Sequence, residues 1–390
     1  MSNFRYPCTG RVSTKGFGAF LEEQTGASRN NLGQFTAALG KTFSAERLTL
    51  VNSGSSANLV AALALAEQLK AAGKPLEAVA AAYTFPTTLS ALGFAGFNVR
   101  LVDTEEGGFN MCPAALERAL LQKPATLVCV THFLGFAAQM DRIMPLARAS
   151  GAFVLQDACE TMDLTGAGGI PLHKMGDMTT WSFYHPHHMS SFGGGAVIAG
   201  NDALYRLADS ISHWGRACTC HIDPATCTAP KGFSHNFSYV RQGVNVEMSE
   251  LNACFGRFQL QNWDALEAAR KQRYDLLLAE LSDIPGVKTY PRDTANGSPF
   301  VFPITLSGET SAQAAAALAT QGIECRSLMG GAMTQQPAFQ NMASDGTPHA
   351  IKQATQSFFV GIHQTLPLED VAHVAAALKA RYTAKKIRAA

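Results

Sequence analysis

The sequence predicts an α/β fold with a mostly parallel central sheet and a smaller α+β domain at the C-terminal end. Short aliphatic or β-branched runs alternate with helical stretches through most of the first two hundred residues, which is typical of a sheet flanked by helices. The chain has 390 residues, and 47% of them are hydrophobic, so it can also bury a large core.

The predicted strands of the large domain follow one another at short intervals. A helix is expected at 57–69, after the first of them. The strand segments are LTLVNS, AVAAAY, VRLVD, ATLVCV, AFVLQD, WSFY and GGAVIAG.

A long amphipathic helix, from about Trp263 to Leu281, opens the C-terminal part and ends before the helix breakers Pro285 and Gly286. The segments VKTY and FVFPITL, an Ala-rich helix at 311–321 and a final helix near 369–382 follow it. We therefore expect a large domain over 1–262, with a cysteine-bearing insertion near 214–240, and a small domain over 263–390.

Charge and hydropathy give no reason to expect nucleic acid or a membrane as partner. The 31 basic and 30 acidic residues nearly cancel, without a run of like charge. The first residues carry no apolar signal segment, and no run of about 18 apolar residues occurs. We expect a cytoplasmic protein that binds a small molecule.

The segment SGSSAN lies between a predicted strand and an Ala/Leu-rich helix. Free backbone amides and the helix dipole would favour a phosphate there, beside Ser55 and Ser56. An ordinary helix N-cap with small residues explains the same letters equally well.

Two further residues follow predicted strands. Phe85 could lie flat on a heterocycle, although a core phenylalanine is the simpler interpretation of the residue alone. Asp157 ends the strand AFVLQD, and the carboxyl edge of a parallel sheet faces the crevice where ligands bind. A carboxylate there could keep a pyridine nitrogen protonated, which makes the ring an electron sink.

The segment SFYHPHHMSSFGGGAVIAG makes the pattern specific. Together with SGSSAN, the aromatic residue and the strand ending in Asp157, it resembles the DegT-like nucleotide-sugar aminotransferases, which have the aspartate-aminotransferase fold (pyridoxal-phosphate fold type I). In that family a lysine, which bonds covalently to the coenzyme, stands where this chain has His187. Imidazole can move protons but cannot form that bond, so its presence indicates the family's sugar 3-dehydratases.

This resemblance implies pyridoxamine or pyridoxal 5'-phosphate as cofactor and His187 as the catalytic base. Its phosphate would be held by serines and one asparagine, namely Ser55, Ser56, Ser182 and Asn245. Two alternatives for the histidines remain: His185, His187 and His188 could form a metal cluster, or the site could have lost its activity.

Four of the nine cysteines have a spacing that suggests a metal centre. Cys159 lies two residues after Asp157, and CxC at Cys218 and Cys220 is followed by Cys227. The arrangement resembles the CDP-4-keto-6-deoxyglucose 3-dehydrase branch, in which such cysteines hold a 2Fe-2S cluster. A four-cysteine zinc site or reduced, inert thiols are the alternatives.

The resemblance extends to the second half of the chain. In YVRQGVNVEMSELNACFG, Asn245 would reach the phosphate of a neighbouring subunit, and in ECRSLMGGAMTQQPAF, Arg326 would face the nucleotide sugar. Both imply a homodimer with shared active sites.

The sequence thus predicts a dehydratase that removes the 3-hydroxyl of a nucleotide-linked 4-keto-6-deoxy sugar, with a cluster fed by a separate reductase. A cluster-free dehydratase and a non-catalytic regulatory or assembly protein with a zinc site are the alternatives.

Overall fold

A computed structural model of the chain describes residues 4–26, 30–218, 237–293 and 297–389. It confirms the predicted α/β fold, with a mostly parallel sheet among helices. The strands are β1 (Leu48–Val51), β2 (Glu77–Ala81), β3 (Asn98–Val102), β4 (Leu127–Thr131), β5 (Phe153–Asp157), β6 (Met178–Ser182), β7 (Gly195–Ala199), β8 (Val287–Lys288), β9 (Phe302–Leu306), β10 (Arg326–Ser327), β11 (Ala343–Ser344) and β12 (Ser357–Val360).

The helices account for most of the remaining regular structure. The described helices are α1 (Phe17–Gly26), α2 (Asn31–Phe43), α3 (Gly54–Ala71), α4 (Pro86–Phe94), α5 (Pro113–Gln122), α6 (Met140–Ala149), α7 (Asp202–Ser212), α8 (Glu250–Leu260), α9 (Trp263–Leu281), α10 (Ser311–Ala319), α11 (Pro348–Gln356) and α12 (Leu368–Ala389). In this described part of the chain, no helix combines the length and the apolar character that a membrane span requires.

The large sheet has the strand order β1-β7-β6-β5-β4-β2-β3-β11 in the described part of the chain. Its inner strands β6, β5, β4, β2 and β3 are parallel, whereas β7 runs antiparallel to both β6 and β1. In this register Asp157 at the end of β5 stands opposite Thr131 of β4 and Thr180 of β6. The carboxyl ends of the parallel strands therefore meet at one edge, which is where such sheets bind ligands.

Helix α3 packs against the large sheet in the N-terminal part of the chain. Its alanines and leucines are buried around most of its circumference, so it packs closely against both the sheet and the neighbouring helices. Ser53 caps its N-terminus by accepting a hydrogen bond from the Ser56 amide, and the helix therefore begins at Gly54, three residues before the predicted start.

The C-terminal part builds a second, antiparallel sheet in the order β10-β12-β9-β8. Its core includes the side chains of α9 from Tyr274 to Leu281 and the first half of α12. Helix α9 has the predicted bounds, but Trp263 at its start packs against Phe43 at the end of α2. Strand β11 also crosses over to pair with β3. The proposed division at 262/263 stays a prediction.

Candidate active site

A cavity of about 630 Å³ lies at the carboxyl ends of the parallel strands, between the N-terminus of α3 and residues of the C-terminal part. It brings together most of the residues that the sequence singled out. Those that line it are Ser55, Phe85, Asp157, Cys159, Ser182, His187 and Arg326.

The carboxylate of Asp157 is held on the cavity wall by three donors. Its Oδ2 accepts hydrogen bonds from Thr88 Oγ1 at 2.6 Å and from Asn58 Nδ2 at 2.9 Å. Its Oδ1 accepts one from the Cys159 amide at 3.1 Å. The group is only 3% exposed, so these bonds fix its orientation and compensate for much of the cost of burying it.

The N-terminus of α3 packs tightly against the end of β6. A Cβ atom at Gly54 would lie 2.6 Å from Ser182 Cβ and 2.8 Å from Cys159 Sγ, so only glycine fits without a shift. This contact brings the first amides of the helix to the cavity, beside the buried Ser182. Free amides at a helix start bind anions well.

The two predicted serines of this helix differ in their placement. Ser55 lines the cavity, and its hydroxyl lies 2.9 Å from Thr87 Oγ1. Ser56 lies outside the cavity lining, and its hydroxyl donates to Asn52 Oδ1 at 2.6 Å. A helix turns by about 100° per residue, so Ser56 faces the capping residues rather than the cavity.

The ring of Phe85 is 46% exposed and lines the cavity from the N-terminus of α4. This exposure excludes a core phenylalanine, because a core ring would be covered by its neighbours. An aromatic face beside a carboxylate suits a flat heterocycle.

His187 is half-buried between the rings of Tyr184 and Phe300, with centroid distances of 5.8 Å and 4.9 Å. Burial, together with the nearby His188 and the positive charge of Arg270, lowers the pKa of His187 to about 3, although the Ser182 carbonyl opposes this. The imidazole is therefore neutral near pH 7. Its Nδ1 lies 3.4 Å from the Ser182 carbonyl, which can only accept, so Nδ1 carries the proton and Nε2 keeps a free lone pair.

The other two histidines of the segment turn away from His187. His185 Nε2 lies 3.0 Å from the Gly10 carbonyl, and His188 Nε2 lies 2.7 Å from the Ser298 carbonyl. Among the described residues no group of three or more potential ligands converges as a metal site. The alternative of a three-histidine cluster therefore has no geometric basis.

Arg326, on β10 in the C-terminal part of the chain, also lines the cavity. Its Nε and Nη2 both bind Glu324 Oε1, at 2.8 Å and 2.7 Å. The other oxygen of that carboxylate accepts the Cys8 amide at 2.8 Å. The guanidinium is therefore held in place while half of its side chain stays exposed to the cavity.

Glu160 also lines the cavity, and sequence reasoning missed it. Burial raises the pKa of Glu160 to about 8, and the nearby Asp157 adds to the rise, against the effect of the hydrogen bond from the Leu134 amide. The group is largely protonated near neutral pH and can donate a hydrogen bond. Its position three residues after Asp157 was the available signal.

Comparison with known proteins identifies the family to which the chain belongs. A profile of the DegT/DnrJ/EryC1/StrS aminotransferase family matches residues 9–379. The chain belongs to this family.

Within the DegT/DnrJ/EryC1/StrS family, several similar proteins are named as sugar 3-dehydratases. The dTDP-4-dehydro-2,6-dideoxy-D-glucose 3-dehydratase of Saccharopolyspora spinosa is 30% identical over 92% of this chain and 81% of that protein. The lipopolysaccharide biosynthesis protein RfbH of Salmonella typhimurium is 28% identical over 87% and 82%. The solved structure of the E. coli GDP-4-keto-6-deoxy-D-mannose-3-dehydratase with bound hydrated PLP superposes with a TM-score of 0.84, at 23% identity, over 96% of this chain and 100% of that one. The predicted aspartate-aminotransferase-like fold is confirmed.

Asn245 does not line the cavity of its own chain. It is exposed and pairs with His213 through an isolated antiparallel bridge. Its expected role, at the phosphate of a neighbouring subunit, stays a prediction.

The predicted cysteine ligands are only partly within the described residues. Cys159 lines the cavity, where burial and then Asp157 raise its pKa well above the usual range. Cys218 is buried and disulfide-bonded. Cys220 and Cys227, and most of the expected insertion near 214–240, lie outside the described residues. The 2Fe-2S cluster stays a prediction that no described group of ligands supports.

Proposed function

We propose that this member of the DegT/DnrJ/EryC1/StrS family is a pyridoxamine-phosphate-dependent dehydratase that removes the 3-hydroxyl of a nucleotide-linked 4-keto-6-deoxy sugar. The observation that carries the proposal is His187, a neutral imidazole in the cavity where the family's aminotransferases have a lysine. The dehydratase names of its relatives in Saccharopolyspora spinosa and Yersinia pseudotuberculosis agree with it.

The cavity residues fit the cofactor. The fixed carboxylate of Asp157 would pair with the pyridine nitrogen, and the exposed ring of Phe85 would offer a face for stacking. The N-terminus of α3 and the hydroxyls of Ser55 and Ser182 would hold its phosphate. When bound, pyridoxamine phosphate supplies an amine for the sugar ketone and a ring that accepts electrons.

His187 would perform the proton transfer. Because Nδ1–H points to the Ser182 carbonyl, Nε2 is the nitrogen that can accept a proton from carbon beside the cofactor ring. A neutral imidazole can do this over the whole physiological pH range. No amine of the protein is needed for elimination, so histidine permits loss of the hydroxyl while excluding the covalent step of transamination.

Arg326 would bind the anionic nucleotide portion of the substrate. Its side chain is half exposed and lines the same cavity as Asp157 and Ser182. A guanidinium fixed by a carboxylate presents its remaining donors in a rigid plane, which suits phosphate oxygens. Asn245 of a second subunit would complete the cofactor site in a homodimer.

The direct test is the substitution His187→Asn, assayed with pyridoxamine phosphate and nucleotide-linked 4-keto-6-deoxy sugars by mass spectrometric detection of water loss. We expect turnover to be lost while the cofactor still binds, as measured by its absorbance. His185→Asn is the matched control, because His185 binds the Gly10 carbonyl outside the cavity lining and should leave dehydration intact. Water loss at an undiminished rate in the His187→Asn protein would refute the assignment.

The iron–sulfur centre is a separate part of the proposal, supported by the spacing of Cys159, Cys218, Cys220 and Cys227. The disulfide of Cys218 would have to be reduced before its thiolate could bind iron. A 2Fe-2S cluster would supply single electrons from a separate reductase after dehydration. Iron and sulfide analysis of anaerobically prepared protein tests it, with Cys159→Ser as the variant expected to lose both.

Iron-free protein that still dehydrates the sugar, with glutamate restoring the cofactor amine, would establish the cluster-free alternative. Zinc without turnover of any keto sugar would instead favour a regulatory or assembly protein.

A further inference from the structure

Arg270 is a buried cation of α9 whose hydrogen bonds go to the segment that carries His187. Its side chain is only 1% exposed. Nη2 donates to the carbonyls of Pro186 at 2.8 Å and His187 at 2.9 Å, and Nη1 donates to the carbonyl of Phe300 at 2.7 Å. One guanidinium therefore joins two separate stretches of backbone.

These two stretches are the ones that determine where the imidazole lies. The ring of Phe300 packs edge-on against the ring of His187, with centroids 4.9 Å apart. Because Arg270 binds the backbone of both residues, the base and the aromatic surface beside it are fixed relative to one another. The Phe300 amide in turn donates to the Leu134 carbonyl at 2.8 Å, which ties this arrangement to the turn that follows β4.

Stability alone does not explain a cation at this position. The charge of Glu267 on the same helix favours the cation, but the Glu267 carboxylate forms its hydrogen bonds with the amide and hydroxyl of Ser298. Burial lowers the pKa of Arg270 to about 10, which shows that the charge is held against a desolvation cost. Apolar residues of similar volume usually serve a core better than such a buried charge.

We propose that Arg270 is a positioning residue that holds His187 and Phe300 in the geometry needed for proton transfer. The catalytic part of this inference rests on the proposed function. Its structural part, the control of His187 by Arg270, can be measured without a substrate.

The groups that act on the His187 imidazole come from three parts of the chain. His188, from its own segment, and Arg270, from α9, both disfavour a second positive charge, while the Ser182 carbonyl favours it. Tyr184 and Phe300 contribute rings. Removing the Arg270 charge must therefore raise the pKa of His187, whereas lysine at 270 keeps the charge and loses the fork of donors.

Arg270→Gln and Arg270→Lys test the inference, with Arg273→Gln as the matched control. Arg273 lies on the same helix, is also buried and binds backbone carbonyls, those of Ala269 and Leu366, but not the His187 segment. The measurements are the ¹⁵N NMR titration of histidine side chains in pyridoxamine-phosphate-loaded protein, with the His187 signal assigned by its loss in His187→Asn, and kcat and KM for dehydration.

We expect Arg270→Gln to raise the pKa of His187 and to lower kcat about 10- to 100-fold with little change in KM, as loss of hydrogen bonds from a charged donor implies. Arg270→Lys should lower kcat about tenfold while the titration stays close to that of the wild type. Arg273→Gln should lower the thermal midpoint without moving the His187 titration.

The outcomes separate the two proposals. A shifted His187 titration in Arg270→Gln, in a protein whose wild type dehydrates no keto sugar, would support the control by Arg270 and reject the proposed function. An unshifted titration and an unchanged kcat in folded Arg270→Gln would overturn the inference. If Arg270→Gln does not fold, Arg270→Lys decides, because an undiminished kcat there would show that the guanidinium fork is not needed.

Discussion

The hydroxyl of Thr88, on α4, donates a 2.6 Å hydrogen bond to Oδ2 of Asp157, at the end of β5. The amide group of Asn58, on α3, donates to the same oxygen at 2.9 Å. Two helices thus determine where the carboxylate points before any ligand arrives. Preorganised charge of this kind costs little rearrangement when the cofactor binds.

Removing the charge of Asp157 should weaken cofactor binding. We expect Asp157→Asn to lower the affinity for pyridoxamine phosphate about 10- to 100-fold, because a charge-assisted hydrogen bond is lost. Titration of the apoprotein, followed by the quenching of its fluorescence, measures the effect. Asp103→Asn is the control: Asp103 is also buried, but it accepts the amides of His349 and Ala350 at the start of α11. That variant should be less stable with unchanged affinity, and equal affinities of all three proteins would contradict the prediction.

The close contact at Gly54 predicts a cost for any added side chain. Gly54→Ala should lower the free energy of unfolding by about 1–3 kcal/mol, because the new Cβ would overlap Ser182 and Cys159. Gly93→Ala is the matched control: Gly93 lies within α4, and apart from adjacent residues and the backbone of that helix no described atom lies within 4 Å of the place that its new methyl group would take. It should gain about 0.5–1 kcal/mol from helix propensity. Chemical denaturation of both variants checks the prediction, which fails if they change stability alike.

The place of Asp157 was predictable because β5 begins as a short apolar run and ends in a carboxylate, at the edge where parallel sheets bind ligands. Asp157 was found in this way. The periodicity of the sequence could not place Ser56, because the N-cap hydrogen bonds that turn its hydroxyl to Asn52 depend on local geometry.

Residues that act through tertiary contacts carried no comparable signal. Arg270 lies in a helix whose sequence has no unusual feature. It is 83 residues away from His187 along the chain, so only the fold brings the two together. Glu160 follows Asp157 closely, but only burial in the folded chain distinguishes it from a surface glutamate. The resemblance to the family supplied His187, whereas the physical setting of that histidine had to come from the fold.

The pair formed by Glu324 and Arg326 predicts an effect on substrate binding. Arg326→Gln should raise KM about 10- to 100-fold with a smaller change in kcat, because the nucleotide portion loses a charged donor. Glu324→Gln should raise KM less, about 3- to 10-fold, since the arginine remains but is held more loosely. Steady-state kinetics with the keto sugar measure both.

A control for this pair is Arg148→Gln. Arg148 is 46% exposed, close to the 48% of Arg326, and forms a two-bond pair with Asp177 outside the cavity lining. Its removal should leave KM unchanged. A wild-type KM for Arg326→Gln would place the nucleotide elsewhere.

Glu160 predicts how stability depends on pH. Its pKa is about 8 in the folded protein, above its ordinary value of 4.5, so between these values the native state binds more protons than the unfolded state. The free energy of unfolding should therefore fall as the pH rises through this interval, and Glu160→Gln, which stays neutral, should remove that part of the fall. Denaturation at about pH 5 and about pH 8 measures it.

The control for Glu160 is a glutamate with the opposite shift. Glu77 has its pKa lowered in the folded state, where the hydrogen bonds from Lys123 and Asn98 outweigh its burial. Its contribution is complete above the unfolded pKa and is lost only as the pH falls through the folded one. Glu77→Gln should therefore change stability by the same amount at both pH values. If Glu160→Gln behaved in the same way, Glu160 would be ionised throughout and could not donate a hydrogen bond in the cavity.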